Sequence, residues 1–171
     1  MTVVGNLISS TRWGTTRALR AGRRVADRRP LHDVPVAADQ LEIRALIHMA
    51  TSPDRELRRS AAEHPNCPPE ILEHLANDVD TIVVILVAQH PDCPPNVLAH
   101  LATSLTWQVR YEVAKHPYTP GDCLLTLLND RNKGIRQRCA SRRPMPQWLL
   151  DRALEHPDPV VRYMATVEEP W

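Results

Sequence analysis

His64-Pro-Asn-Cys-Pro-Pro-Glu-Ile-Leu-Glu-His-Leu-Ala76 decides the fold, because it returns as His90-Pro-Asp-Cys-Pro-Pro-Asn-Val-Leu-Ala-His-Leu-Ala102. The period is 26 residues, and further steps reach His116-Pro117 and then Arg142-Arg143. Self-similarity at a period of 20–50 residues is the signature of a solenoid. Pro68, Pro94, Pro120 and Pro146 fall in one column, and Leu72, Leu98, Leu124 and Leu150 in another. Leu75, Leu101 and Leu127 match, with Ala153 as the exception. Leu57, Val83, Val109, Ile135 and Val161 form a column that is followed by arginine everywhere except at Val84. Ala62, Ala88, Ala114 and Ala140 close the unit, with Thr166 last.

Each unit reads as two short helices. The proline column belongs to a first helical turn, where a missing N–H costs nothing. The residue before it is the expected cap: Cys67, Cys93, Thr119 or Met145, with Thr119 and Asp122 spaced as in a variant capping box. Ile71, Leu72, Leu75 and Ala76 recur with the helix period. Ile82 to Ala88 is an apolar, β-branched-rich run that by itself reads as a buried strand. The register places it on the second helix of its unit.

Pro-x-x-x-Leu-x-x-Leu, then Asp, then Val-Arg, then Val-Ala-x-His-Pro resembles the leucine-rich repeat variant family over about residues 41 to 167. The resemblance implies an all-α, right-handed α/3₁₀ superhelical solenoid of about five repeats, without strands. Asp130–Arg136 and Asp158–Arg162 also resemble HEAT repeats. One member of the variant family holds an iron–sulfur cluster on an N-terminal cysteine-rich segment. No cysteine precedes Cys67 here, so that feature does not carry over.

The expected organisation is a basic N-terminal helix or cap with a linker over residues 1–39, then the repeat solenoid over 40–171. Residues 1–30 hold seven arginines against one acid, Asp27, while the remaining chain holds 14 basic and 19 acidic residues. Thr15 to Arg29 can form a helix with Arg17, Arg20, Arg24 and Arg28 in a stripe beside its apolar face. It reads as a solenoid cap, as a basic arm for nucleic acid or an anionic membrane surface, or as a targeting peptide. Pro30 to Val36 reads as a linker. A degenerate first repeat runs from Leu41 to Pro65, with Leu46, Met49 and Ala50 in its core columns, and Glu168 to Trp171 form a tail. No apolar run approaches the roughly 18 residues of a membrane span, so a soluble chain is expected. Four scattered cysteines point to the reducing cytoplasm.

Three features invite a functional reading. His64, Cys67 and His74 recur as His90, Cys93 and His100. Zinc needs three or four ligands converging at about 2.0–2.3 Å. Columns that repeat on successive coils stand roughly 8–10 Å apart, so no metal is expected, and the His-Pro histidines read as corner-closing hydrogen-bonders. The arginine column Arg58, Arg110, Arg136 and Arg162 forms a ladder. It can grip phosphate or an acidic partner or pair locally with Asp54 and Asp158 at i, i+4, and the resemblance to HEAT repeats implies that it ties adjacent coils together. Arg131, Lys133, Arg136, Arg138, Arg142 and Arg143 gather in one basic repeat, while Glu63, Glu70, Glu73, Asp78, Asp80 and Asp92 make the middle repeats acidic.

No phosphate loop, nucleophile elbow or paired-histidine zinc motif is present, so no catalysis and no cofactor are expected. The leading reading is a non-catalytic protein-binding scaffold. The alternative is nucleic-acid binding through the N-terminal arginines and the 131–143 cluster, with aromatics at only 4% to stack on bases. The candidate partner- or anion-binding residues are Arg17, Arg20, Arg24, Arg28, Arg110, Arg136, Arg138, Arg142 and Arg143.

Overall fold

The computed structural model describes residues 40–167. All regular structure there is helical, with ten helices and no strand among the described residues. The N-terminal helix expected over 15–29, the 30–36 linker and the 168–171 tail lie outside the described residues.

The helices keep the 26-residue register. Helix α1 (Gln40–Ala50) opens the array. One layer is formed by α2 (Arg55–Glu63), α4 (Thr81–Gln89), α6 (Trp107–Lys115), α8 (Lys133–Ala140) and α10 (Pro159–Thr166). Its members pack successively on one another. The other layer holds α3 (Pro69–Leu75), α5 (Pro95–Leu101), α7 (Gly121–Leu128) and α9 (Gln147–Leu154). Each of these packs on the next helix of the first layer. The chain is thus an all-α solenoid. Both helices of each unit are α-helices, so the expected α/3₁₀ alternation is not found among the described residues. A trace of 3₁₀ geometry survives in first turns, where Pro68 O accepts both Ile71 N at 3.0 Å and Leu72 N at 3.1 Å.

The core lies between the layers and is continuous from Leu46 to Ala165. Leu72 and Leu98 are fully buried, Leu124 nearly so and Leu150 partly. Leu75, Leu101, Leu127 and Ala153 are buried together with Ala62, Ala88, Ala114 and Ala140. In the first repeat Leu46 and Ala50 are buried and Met49 is partly so. The run from Ile82 to Ala88 is helical, as its register requires, and buries Val83, Val84, Val87 and Ala88. Tertiary packing overrides β propensity there.

Capping departs from expectation by one residue. Pro68, Pro94, Pro120 and Pro146 are themselves the extended N-caps, and Pro69 and Pro95 fill the first helical turn. The cap position needs no amide of its own, so proline is tolerated there. Thr119 consequently caps nothing. Its buried hydroxyl donates to Val113 O at 2.5 Å and His116 O at 3.0 Å, tying the corner shut. In the other layer every helix but α6 is capped by a side chain: Asp54, Asp80, Asn132 and Asp158 each accept an amide two residues on at 2.9 Å, whereas Thr106 before α6 makes no such bond. No helix among the described residues is long and apolar enough to cross a membrane.

Candidate functional site

The arginine ladder resolves into a set of brackets. Each guanidinium reaches back to the loop before its own helix and forward to the next coil. Arg110 Nη1 donates to Ser104 O at 2.6 Å and Leu105 O at 3.1 Å. Its Nε and Nη2 grip the Asp130 carboxylate at 2.6 and 3.0 Å. Arg58 does the same with Ser52 O, Pro53 O and Asp78. Arg136 holds Asp130 O and Arg131 O and reaches Asp158 at 2.6 Å. Arg162 keeps the carbonyl half alone, at 2.6 Å to His156 O and 3.0 Å to Pro157 O. The local i, i+4 pairs expected of Asp54–Arg58 and Asp158–Arg162 are not made, because both aspartates turn to cap their helices.

Burial alone would raise the Asp78 and Asp130 carboxyls. The hydrogen bonds from Arg58 and Arg110, a backbone amide apiece and the arginine charges outweigh it and hold both below the usual carboxylate range. Hydrogen bonding to Asp130 correspondingly raises Arg110. These two aspartates are therefore structural anions held by arginine and not free surface acids.

A second ladder runs along the His-Pro corners. His90 Nε2 meets His64 O at 3.0 Å, and His116 Nε2 meets His90 O at 2.9 Å. Nδ1 of each ring accepts a backbone amide, from Asp92 and Tyr118 respectively. That pattern places the single proton of the neutral ring on Nε2. Arg142 stands one period after His116 and takes over the histidine's task, donating from Nη1 to His116 O at 2.6 Å and from Nη2 to Pro117 O. Cys67, Cys93 and Cys139 are buried, and desolvation pushes their thiols up to about 12. Thiols so shifted are poor nucleophiles. No group of three or more His, Cys, Asp or Glu able to hold a metal occurs among the described residues.

The brackets are interrupted once among the four described junctions between successive first-layer helices. Between α4 and α6 the arginine position holds Val84, and the aspartate position of the next coil holds Ser104. A cavity of about 390 Å³ opens there, with Asp78, Thr81, Val84, Ser104, Thr106 and Val109 among its walls. The carbonyls that the missing arginine would claim, those of Asp78 and Val79, receive no side-chain donor among the described residues, whereas their counterparts in the other coils do. Apolar side chains stand where the chain enters the two helices of this junction: Val79 and Leu105, on the loops before α4 and α6, are 96% and 88% exposed, and Ile82 and Trp107, in the first turns of those helices, are about half exposed. The same register positions one coil earlier are Pro53, Glu56 and Arg55, and one coil later Arg131, Gly134 and Lys133. From Ser60 to Val109 the chain carries no lysine or arginine but six acids.

Of the residues singled out from sequence, Arg17, Arg20, Arg24 and Arg28 lie outside the described residues. Arg110 is buried in its bracket and Arg136 is held in the next one. Arg142 and Arg143 donate to main-chain carbonyls, those of Ala165 and Val167 for Arg143. Arg138 is half-buried on α8. The structure does not gather the 131–143 arginines into one open cationic face; it spreads most of them along the coil junctions. The slot escaped the sequence reading. Its signal was present: the spacing of 20 residues that links Arg58 to Asp78 and Arg110 to Asp130 links Val84 to Ser104.

Stacked two-helix coils with a shared core and bracketed junctions define a helical-repeat solenoid. Residues 55–80 match the family model described as leucine rich repeat variant, the family whose pattern the sequence resembles. The match spans one period, from the first residue of α2 to the N-cap of α4. No curated protein and no solved structure matches the chain.

Proposed function

We propose that the chain is a non-catalytic protein-binding scaffold whose working surface is the loop edge between α4 and α6. One observation carries the reading: Val79, Ile82, Leu105 and Trp107 are all exposed where the chain enters α4 and α6, the two helices of the unbracketed junction. Single exposed apolar residues are ordinary. Several gathered around a cleft are the kind of surface that protein partners cover. Nucleic-acid binding is the weaker reading, because Arg110, Arg136, Arg142 and Arg143 are committed to the chain's own carbonyls and carboxylates.

The test is affinity capture from native lysate with nuclease present, comparing the wild type with a Val79→Ser/Leu105→Ser variant. Both changes are at exposed loop positions, so the fold should be kept. Proteins retained by the wild type and lost by the variant are the expected result. Equal capture by both, or DNA or RNA binding that falls by orders of magnitude between about 50 and 200 mM salt, refutes the proposal.

A further inference from the structure

We infer that the slot beside Val84 receives the guanidinium of an arginine on the partner protein, completing from outside the bracket that this coil lacks. The inference rests on the scaffold reading and deepens it. The chain itself supplies the template. In every other described coil of the first layer an arginine occupies this register position and gives Nη1 to the carbonyls six and five residues before it. Counting back from position 84, the matching carbonyls belong to Asp78, which lines the slot, and to Val79, the next residue of the same loop.

The forward half of the bracket also has a receptor. Position 104 faces the forward end of a bracket, as Asp78 and Asp130 do in theirs. Serine there offers an oxygen in place of a carboxylate. A carboxylate is not required, since Arg162 is held by the carbonyl pair alone. The surroundings favour a cation from outside. The 50 residues from Ser60 to Val109 hold Glu63, Glu70, Glu73, Asp78, Asp80 and Asp92 and no lysine or arginine. Among the described residues, Asp78 and Asp80 are the only ones of these matched by arginines, Arg58 and Arg59. The exposed Val79, Ile82, Leu105 and Trp107 then cover the apolar residues that flank the incoming arginine. Lysine is a poor substitute, because a single ammonium cannot serve the carbonyl pair and position 104 at once, as a forked guanidinium does.

The experiment titrates the full chain with a capped pentapeptide, Leu-Gly-Arg-Gly-Leu, and with its lysine and citrulline counterparts, following backbone amide NMR shifts. Saturable shifts confined to the loops around residues 78–81 and 104–107 are expected with arginine, and binding about tenfold or more weaker with lysine. Val84→Arg/Ser104→Asp transplants the Arg110–Asp130 bracket into the slot and should abolish peptide binding with the fold retained. Ser104→Asp alone restores the missing carboxylate and should tighten binding by about tenfold. Equal binding of lysine and arginine, shifts elsewhere, no binding because the chain's own arginines fill the slot, or a Ser104→Asp variant no tighter than wild type would overturn the inference. Capture from lysate that is lost in Val79→Ser/Leu105→Ser but unchanged in Val84→Arg/Ser104→Asp would overturn it while leaving the scaffold reading intact.

Discussion

The Arg110–Asp130 bracket can be dissected by converting it into the pair that the chain already uses one coil earlier. Arg110→Val leaves the Asp130 carboxylate, 7% exposed, with the Asn132 amide at 2.8 Å and without its bidentate partner. Breaking a buried pair in this way costs about 3–5 kcal/mol. Asp130→Ser is milder. Arg110 keeps Ser104 O and Leu105 O, just as Arg162 lives on two carbonyls, so the loss is about 1.5–3 kcal/mol for the charge-assisted bonds removed. The double variant has no stranded charge, and its cost should fall short of the sum of the singles by about 1–3 kcal/mol. Urea unfolding followed by far-ultraviolet circular dichroism measures all three, provided the slopes stay alike. Because both side chains are about 6–7% exposed, the coupling should survive in about 1 M salt. Additivity within about 0.5 kcal/mol would mean that the bracket does not act as a unit, and the interpretation of the ladder would fall with it.

Two further outcomes are expected. Leu98, fully buried on α5, sits in the core shared by successive coils, so Leu98→Ala should cost about 2–5 kcal/mol; a loss below about 1 kcal/mol would contradict the column assignment. For His116, burial disfavours the charged ring and the charges of Arg142 and His90 add to it, outweighing the hydrogen bond to His90 O, so its pKa is lowered in the folded chain. The unfolded chain then takes up the proton first, near its ordinary value of about 6.5. This contribution is therefore complete above that pH and is lost as pH falls below it. The urea midpoint should drop between about pH 7 and 5.5, and His116→Gln should flatten that slope; an unchanged slope in the variant removes His116 as the cause.

Much of this was legible in the sequence because a repeat forces equivalent residues into equivalent surroundings. The column that begins at Leu57 is exposed at that first member and buried at every step from Val83 to Val161, and the register identified Ile82–Ala88 as helix against its own composition. The histidine corners were legible for the same reason. A periodic sequence says which residues share a column. It does not say which neighbouring coil a side chain reaches. For Arg58 the local pair with Asp54 and a tie to the adjacent coil therefore stood side by side, and the structure selects the tie, to Asp78 across the junction. Local spacing also placed the cap one residue early, because a proline can itself be the cap. Arg142 was visible as a break in the His-Pro column, yet only geometry shows that a longer donor performs the histidine's task.

The junction without a bracket must be stabilised by other means, and α4 supplies them. It buries Val83, Val84, Val87 and Ala88 and partly buries Ile85 and Leu86, whereas α6 buries Arg110 and α8 keeps Arg136 and Gln137 half-buried. Apolar contact thus replaces the ion pair at this one junction, in line with the finding that well-packed hydrophobic residues match or exceed buried ion pairs in stability. Packing alone would be satisfied by larger side chains that close the cavity, since voids cost stability. Here the void is open, the Asp78 and Val79 carbonyls receive no side-chain donor among the described residues, and exposed aliphatic and aromatic residues stand at the entries to both helices. Fold stability accounts for the apolar helix but not for the open cleft or its apolar border. The arginine-bearing partner that we propose would account for both, by covering the border and donating to the carbonyls.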